Sequence, residues 1–349
     1  MFSVLSIRRT AAILAGCAAL LAPVLANAGS TKLTLINGWS NGAFGAAKAA
    51  VWSVKGIVHF QGAISTTGSS NEPFVLPAAF RPEDVAYVKV DLCNAHNGRL
   101  VIEPSGDTVV EAEDSFSDAQ CFTSLDGATF ALAPDTFKQI NLKHGWKSTK
   151  SIYGTADPAV KNIDGIVHFA GAMKTKKPIT DAAFTLSAKF RPESGVYFPV
   201  DMYNASNGRL ISGPGGGVGV EAENDAANAQ GFTSLDGASF ATDSSGFTAL
   251  SLINGWAQYG NGTRNAAVKI VGGAVQFEGA IATRVNNAQP FVLPASFRPS
   301  HPVWIPVDMN NATNGRLQID TDGTVTVEAE TDFGHAQAFT SLEGASFHL

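Results

Sequence analysis

The chain predicts an all-β fold of three tandem β-sandwich or jelly-roll-like domains. Three observations predict it: a motif set that recurs at a spacing of about 107–110 residues, short apolar–polar alternations closed by turn-forming pairs, and a composition of 15% charged residues with 35 glycines and 22 phenylalanines. That mix suits turn-rich β structure rather than helix bundles or disorder.

The repeats set the organisation. Phe80-Arg81-Pro82 returns as Phe190-Arg191-Pro192 and Phe297-Arg298-Pro299. Asn97-Gly98-Arg99-Leu100 returns at Asn207–Leu210 and Asn314–Leu317. Phe122 to Gly127 returns at Phe232 to Gly237 and, with Glu343 for Asp, at Phe339 to Gly344. Gly38-Trp39, Gly145-Trp146 and Gly255-Trp256 open the units. The period is too long for a solenoid turn and right for a small domain with its own core. The divisions expected are 1–28 for an export leader and 29–132, 133–241 and 242–349 for the domains.

Arg8 and Arg9 precede an apolar run from Ala11 to Leu25, which closes on Ala26-Asn27-Ala28. This is the pattern of a secretory signal peptide cut after Ala28. Leu14-Ala15-Gly16-Cys17 resembles a lipobox and makes lipid anchoring at Cys17 the competing expectation. Loss of the leader takes the net charge from −6 to −8. No basic footprint for nucleic acid remains. The mature chain is expected to be secreted or periplasmic, without a transmembrane span. It keeps Cys93 and Cys121. A lone pair in an oxidising compartment predicts a disulfide.

Within each unit about seven strands are expected and no helix. Lys55-Gly56, Asp164-Gly165 and Gly272-Gly273 supply the positive-φ pairs of a tight hairpin between strands 51–55 and 56–64 and their equivalents. Val58 and Phe60 alternate with His59 and Gln61, so one face is buried. Leu100, Ile102, Val110 and Ala112 should face a core. A three-residue loop at Ser105-Gly106-Asp107 then sets Arg99 opposite Glu113, Arg209 opposite Glu223 and Arg316 opposite Glu330, as cross-strand ion pairs.

Several constellations bear on chemistry. Glu111/Glu113, Glu221/Glu223 and Glu328/Glu330 invite comparison with the paired carboxylates of glycosidases. Three identical pairs on alternating strand positions read instead as a solvated or ion-paired face. Asp91, Asn94 and Asn97 offer the oxygen donors of a calcium site; the competing reading is a polar loop with Asn97-Gly98 as its turn. His59 and His168 match, but the third unit has Gln276, which cannot act as a base; they read as residues of the less buried strand face. Gly213 to Gly217 lacks the Lys-Ser/Thr of a phosphate loop. Trp39, Trp146 and Trp256 read as packing residues. Trp52 and Trp304 do not recur and are the candidates for exposed ligand contacts. No catalytic constellation emerges, and the chain is not expected to be an enzyme.

The order Gly-Trp, Asp164 to Gly171, Phe74 to Pro82, Gly-Arg-Leu and Phe122 to Phe130 resembles the C-terminal head domains of bacteriophage tail-fibre and baseplate proteins. The resemblance spans each repeat almost end to end. It implies β-sandwich-like heads of a kind that is often trimeric, several of which bind cell-surface glycans. This chain differs in its leader and in fusing three copies without a fibre stem, and no binding residue carries over. The expectation is a monomer with a pseudo-threefold arrangement. Its function is expected to be that of a secreted binding or adhesion protein, with cell-surface glycans as the candidate ligand; a structural surface or envelope protein is the alternative.

Overall fold

The structure is a computed structural model, and it describes residues 29–349. The leader and Cys17 lie outside the described residues. The fold is all-β, with nine antiparallel sheets in three similar units. In the first unit, β1 (Thr31–Lys32), β3 (Ala50–Val54), β4 (Ile57–Gln61) and β11 (Thr129–Ala131) form one sheet. A second combines β2 (Trp39–Asn41), β5 (Ala63–Thr66) and β10 (Thr123–Ser124). The third runs β6 (Phe74–Val75), β9 (Asp107–Ala112), β8 (Asn97–Ile102), β7 (Ala86–Asp91).

The hairpin tips form where expected: Lys55 and Gly56 have φ of 51° and 85°, and Asp164 and Gly165 have 53° and 88°. The strand beyond the tip is shorter than its apolar pattern suggests. Gly62 (φ 91°) breaks it, and β5 continues in another sheet. A Cβ there would lie 2.4 Å from the Ala47 carbonyl oxygen, so only glycine permits this close crossing. A short helix, α1 (Phe116–Cys121), also departs from the strand-only expectation. Ser115 caps it by accepting from the Ser117 N–H; Asp225 and Asp332 cap its counterparts.

Each unit has its own core. Val58, Phe60, Phe74, Leu100, Ile102, Val110 and Phe130 pack together in the first, and the equivalent residues pack in the other two. The Phe-Arg-Pro motif is structural. Arg81, Arg191 and Arg298 each donate from Nε to a strand-end carbonyl, those of Leu76, Leu186 and Leu293, at 2.9 Å. Trp39, Trp146 and Trp256 are buried, as expected of packing residues.

The units close into a ring about a pseudo-threefold axis. β7 and its counterparts Val196–Asp201 and Val303–Asp308 touch one another pairwise. The Phe-Thr-Ser-Leu-Asp-Gly segment joins each unit to the next. Ser124, Ser234 and Ser341 donate to the carbonyls of Trp304, Tyr87 and Tyr197, each on another unit, at 2.7, 2.6 and 2.5 Å. Glycine is required in that segment: a Cβ on Gly127, Gly237 or Gly344 would lie 2.8–2.9 Å from a backbone oxygen of another unit.

The register of β8 and β9 differs from expectation by two residues. The three-residue loop is Pro104-Ser105-Gly106, with Glu103 N–H bonded to Asp107 and Gly106 at φ 94°. The loop has the expected three residues but begins one residue earlier, at Pro104, and ends on left-handed Gly106. Arg99 therefore lies opposite Glu111, not Glu113; Arg209 faces Glu221 and Arg316 faces Glu328, not Glu223 and Glu330. A shift of two preserves the faces, so Leu100, Ile102 and Val110 remain in the core.

A ring of this kind has the radius of gyration of one compact body, about 20 Å by the chain-length relation. Small-angle scattering on the mature chain at low concentration should give that value, and an extended profile would contradict the ring.

Candidate functional site

The Asn-Gly-Arg-Leu motif builds the axis and the seams around it. The leucine is core. The glycine lets a side chain lie flat on the strand: a Cβ on Gly98, Gly208 or Gly315 would meet Leu92, Met202 or Met309 at 2.6, 2.1 and 2.0 Å. The arginine spans the seam. Arg99, Arg209 and Arg316 donate from Nη1 to Asp201, Asp308 and Asp91 of another unit at 3.1, 3.2 and 3.0 Å. The three aspartate side chains are fully buried. Desolvation pushes Asp91 and Asp308 up to about 7 and Asp201 up to about 6, with the arginines acting in the opposite direction.

The asparagine points to the axis. Asn97, Asn207 and Asn314 donate from Nδ2 to the carbonyls of Ala205, Ala312 and Ala95 at 2.5, 2.6 and 2.6 Å, closing a ring of three units. Those alanines, and Asn94, Asn204 and Asn311 before them, have φ between 56° and 61°. The paired left-handed turn aims the carbonyl at the neighbouring unit. Lys89 enters this ring from the first unit; Pro199 and Pro306 hold its place in the others. Its Nζ donates to Asn97 Oδ1 and, at 2.7 Å, to Asn207 Oδ1. Burial lowers its pKa, opposed by the charges of Glu330, Glu113 and Glu223. These three glutamates converge from the three units, with one carboxylate oxygen of each within 4.8 Å of the others. Burial raises Glu113 to about 7 and raises Glu330 as well.

The calcium set read from the sequence does not assemble. Asp91 accepts from Arg316 and Asn97 Oδ1 accepts from Lys89, so the oxygens meant for a metal already face cations. Asn94 points elsewhere, to the seam between the third and first units. There a cavity of about 390 Å³ is lined by Phe44, Cys93, Asn94, Phe122, Trp304, Arg316 and Gln318. Phe122 packs edge-on against Trp304 and Phe44, with ring centroids 5.1 and 5.5 Å away. Phe44 is 67% exposed and has φ of 54°. The other seams have matching aromatic groups, Tyr87–Phe232–Tyr153 and Tyr197–Phe339–Tyr259.

Trp304 is therefore not a protruding contact; it is 5% exposed and forms an inner wall of the cavity. Trp52 is also buried, at 6%. Its ring stacks on His59 and meets His348 edge-on, because its strand faces the third unit rather than solvent. His59 and His168 are half-buried. Burial, with the nearby His168 and His348, lowers His59 to about 3, and burial lowers His168 to about 4.

Cys93 and Cys121 form the expected disulfide, with Cα atoms 5.8 Å apart. It ties the loop bearing Asn94 to α1 at the cavity wall, where the second unit instead packs Tyr203 against Gly231. A disulfide fits an oxidising, extracytoplasmic setting. No helix among the described residues is long and apolar enough to cross a membrane. Compared with known proteins, the chain matches no family model, no curated protein and no solved structure.

Sequence reading missed the partners of Arg99, Asp91 and Asn97, which lie on other units. The recurrence of all three was the available signal.

Two outcomes follow from this geometry. Replacing both cysteines by serine should cost about 3–4 kcal/mol by the chain-entropy relation for a 28-residue loop, measured by urea unfolding. The histidines act through protons. Their folded pKa values lie below the unfolded 6.5, so the unfolded chain binds protons first and stability is lost as pH falls below about 6.5. A His59→Gln/His168→Gln chain, copying Gln276, should lose less stability than the parent between pH 6.5 and 4 and match its pH trend at pH 8. Calorimetry across that range checks this.

Proposed function

We propose that the protein is an exported, non-catalytic binding or adhesion protein, and that its ligand site is the seam cavity between the third and first units. The observation that carries the reading is the lining of that cavity. Aromatic faces from Phe44, Phe122 and Trp304 stand beside the amides of Asn94 and Gln318 and the Arg316 guanidinium. A sugar presents this combination of needs: C–H faces that pack on aromatic rings and hydroxyls that take directed hydrogen bonds. Phe44, held out in a left-handed backbone conformation, offers the most accessible apolar surface of the set. Gln318 is specific to this seam; Val101 and Ile211 take its position in the other units. The resemblance to phage tail-fibre heads supports the same class of ligand, because several such heads bind surface glycans.

A glycan array on the mature chain tests the reading. The expected result is a restricted set of bound glycans, with affinity lowered about tenfold or more by Phe44→Ala or Gln318→Ala and less affected by Tyr203→Ala, which lies on another seam. Concentration-dependent assembly with no glycan bound would favour a structural surface protein instead.

A further inference from the structure

The axis carries one feature that ligand binding at the seam does not use. The Asn97, Asn207 and Asn314 side chains are buried and held alike, each by an Nδ2 bond to a neighbouring carbonyl. That common tether holds their Oδ1 atoms in equivalent places around the axis. Two of them meet the Lys89 amine there. The third, on Asn314, which is 1% exposed, is buried without a hydrogen-bond partner among the described residues. The Glu113, Glu223 and Glu330 carboxylates adjoin the ring, since Asn207 Nδ2 also donates to Glu223 at 3.0 Å and Glu113 accepts from the Asn207 N–H at 3.1 Å.

Three neutral oxygens and three carboxylates around one axis form a cage for a hard cation. An ammonium has three N–H donors, and Lys89 uses two of them on Asn97 and Asn207, leaving the Asn314 oxygen to a further group. Only one unit supplies the lysine; the other two place proline at that position. We propose that this cage is a cation site in which the Lys89 ammonium is the tethered occupant, so that removing the amine leaves a site for a free divalent cation of the calcium type. Lys89 thereby makes the assembled ring independent of metal supply.

The experiment uses the full mature chain, with Lys89→Met keeping most of the stem and Lys89→Pro copying the other units. Thermal unfolding is followed in calcium chloride and in EDTA, with calcorimetric titration of calcium chloride alongside. The unfolding midpoint of the parent should not respond to calcium. Those of Lys89→Met and Lys89→Pro should fall in EDTA and rise by about 3 °C or more in millimolar calcium. Adding Glu113→Gln, Glu223→Gln and Glu330→Gln to Lys89→Met should abolish that rise. If neither variant folds in EDTA, recovery of folded protein on refolding with calcium becomes the readout, and equal failure with and without calcium overturns the proposal. A calcium response of the parent as large as that of the variants, or none in the folded variants, overturns it too.

Discussion

The buried arginine–aspartate bridge across each seam is the interaction on which the ring depends. Asp91, Asp201 and Asp308 have no exposed side-chain surface. A carboxylate in that position is costly unless a cation is fixed beside it, and removing one partner of such a pair typically costs about 3–5 kcal/mol. Here the cation always comes from another unit. A single unit would expose both the aspartate and the arginine. Each arginine also holds a glutamate on its own sheet, Glu111, Glu221 or Glu328, at 2.5–2.6 Å, which fixes the guanidinium plane before it reaches across. The bridge therefore links strand register to assembly: a slip of one residue between β8 and β9 would carry Glu111 off the face on which it holds Arg99.

The sequence made legible what is local. Hairpin tips, the alternating core positions, the threefold repetition and the disulfide follow from turn chemistry, period and cysteine count. Register is legible to within two residues, because a three-residue loop is recognisable while its exact start rests on the packing of Gly106 under Arg81. The helix after Ala112 was hidden by its length of six residues, although Ser115 and its acidic counterparts are ordinary caps. What could not be read was the identity of partners from another unit. Arg99 lies on β8 and Glu113 directly follows β9, but Glu113 turns to the axis and Arg99 to the seam. The same limit misplaced Trp52 and Trp304. Each looked unique within its repeat, yet each is covered by a surface from a different one.

Covalent linkage of the units explains why the symmetry is broken where it is. In a trimer of identical chains any substitution appears three times. In this chain several departures fall in the first unit and the seam it closes with the third, while the buried Arg264–Glu278–Glu343 group is a departure of the third unit toward the second. Cys93 and Cys121 stand where the second unit has Tyr203 and Gly231, and Trp304 and Gln318 stand where the others have tyrosine and an aliphatic residue. His96 and Asp114 approach Glu330 from the first unit alone. The seam between the third and first units can thus diverge from the other two, and its cavity has a lining of its own.

The axis shows the same logic in electrostatic terms. The threefold arrangement brings three carboxylates within a few ångströms, and repulsion among them is part of what raises Glu113 and Glu330. One positive charge beside them relieves that repulsion. Three lysines, which symmetry would impose on identical chains, would crowd three ammonium groups into one buried point, and each pair a few ångströms apart would cost several kcal/mol at an effective dielectric constant of about 20. A single Lys89 opposite Pro199 and Pro306 is available only to a fused chain. Fusion does more than raise the effective concentration of the units. It permits a centre in which the charges are unequal, and a buried axis of acids needs that inequality to remain closed.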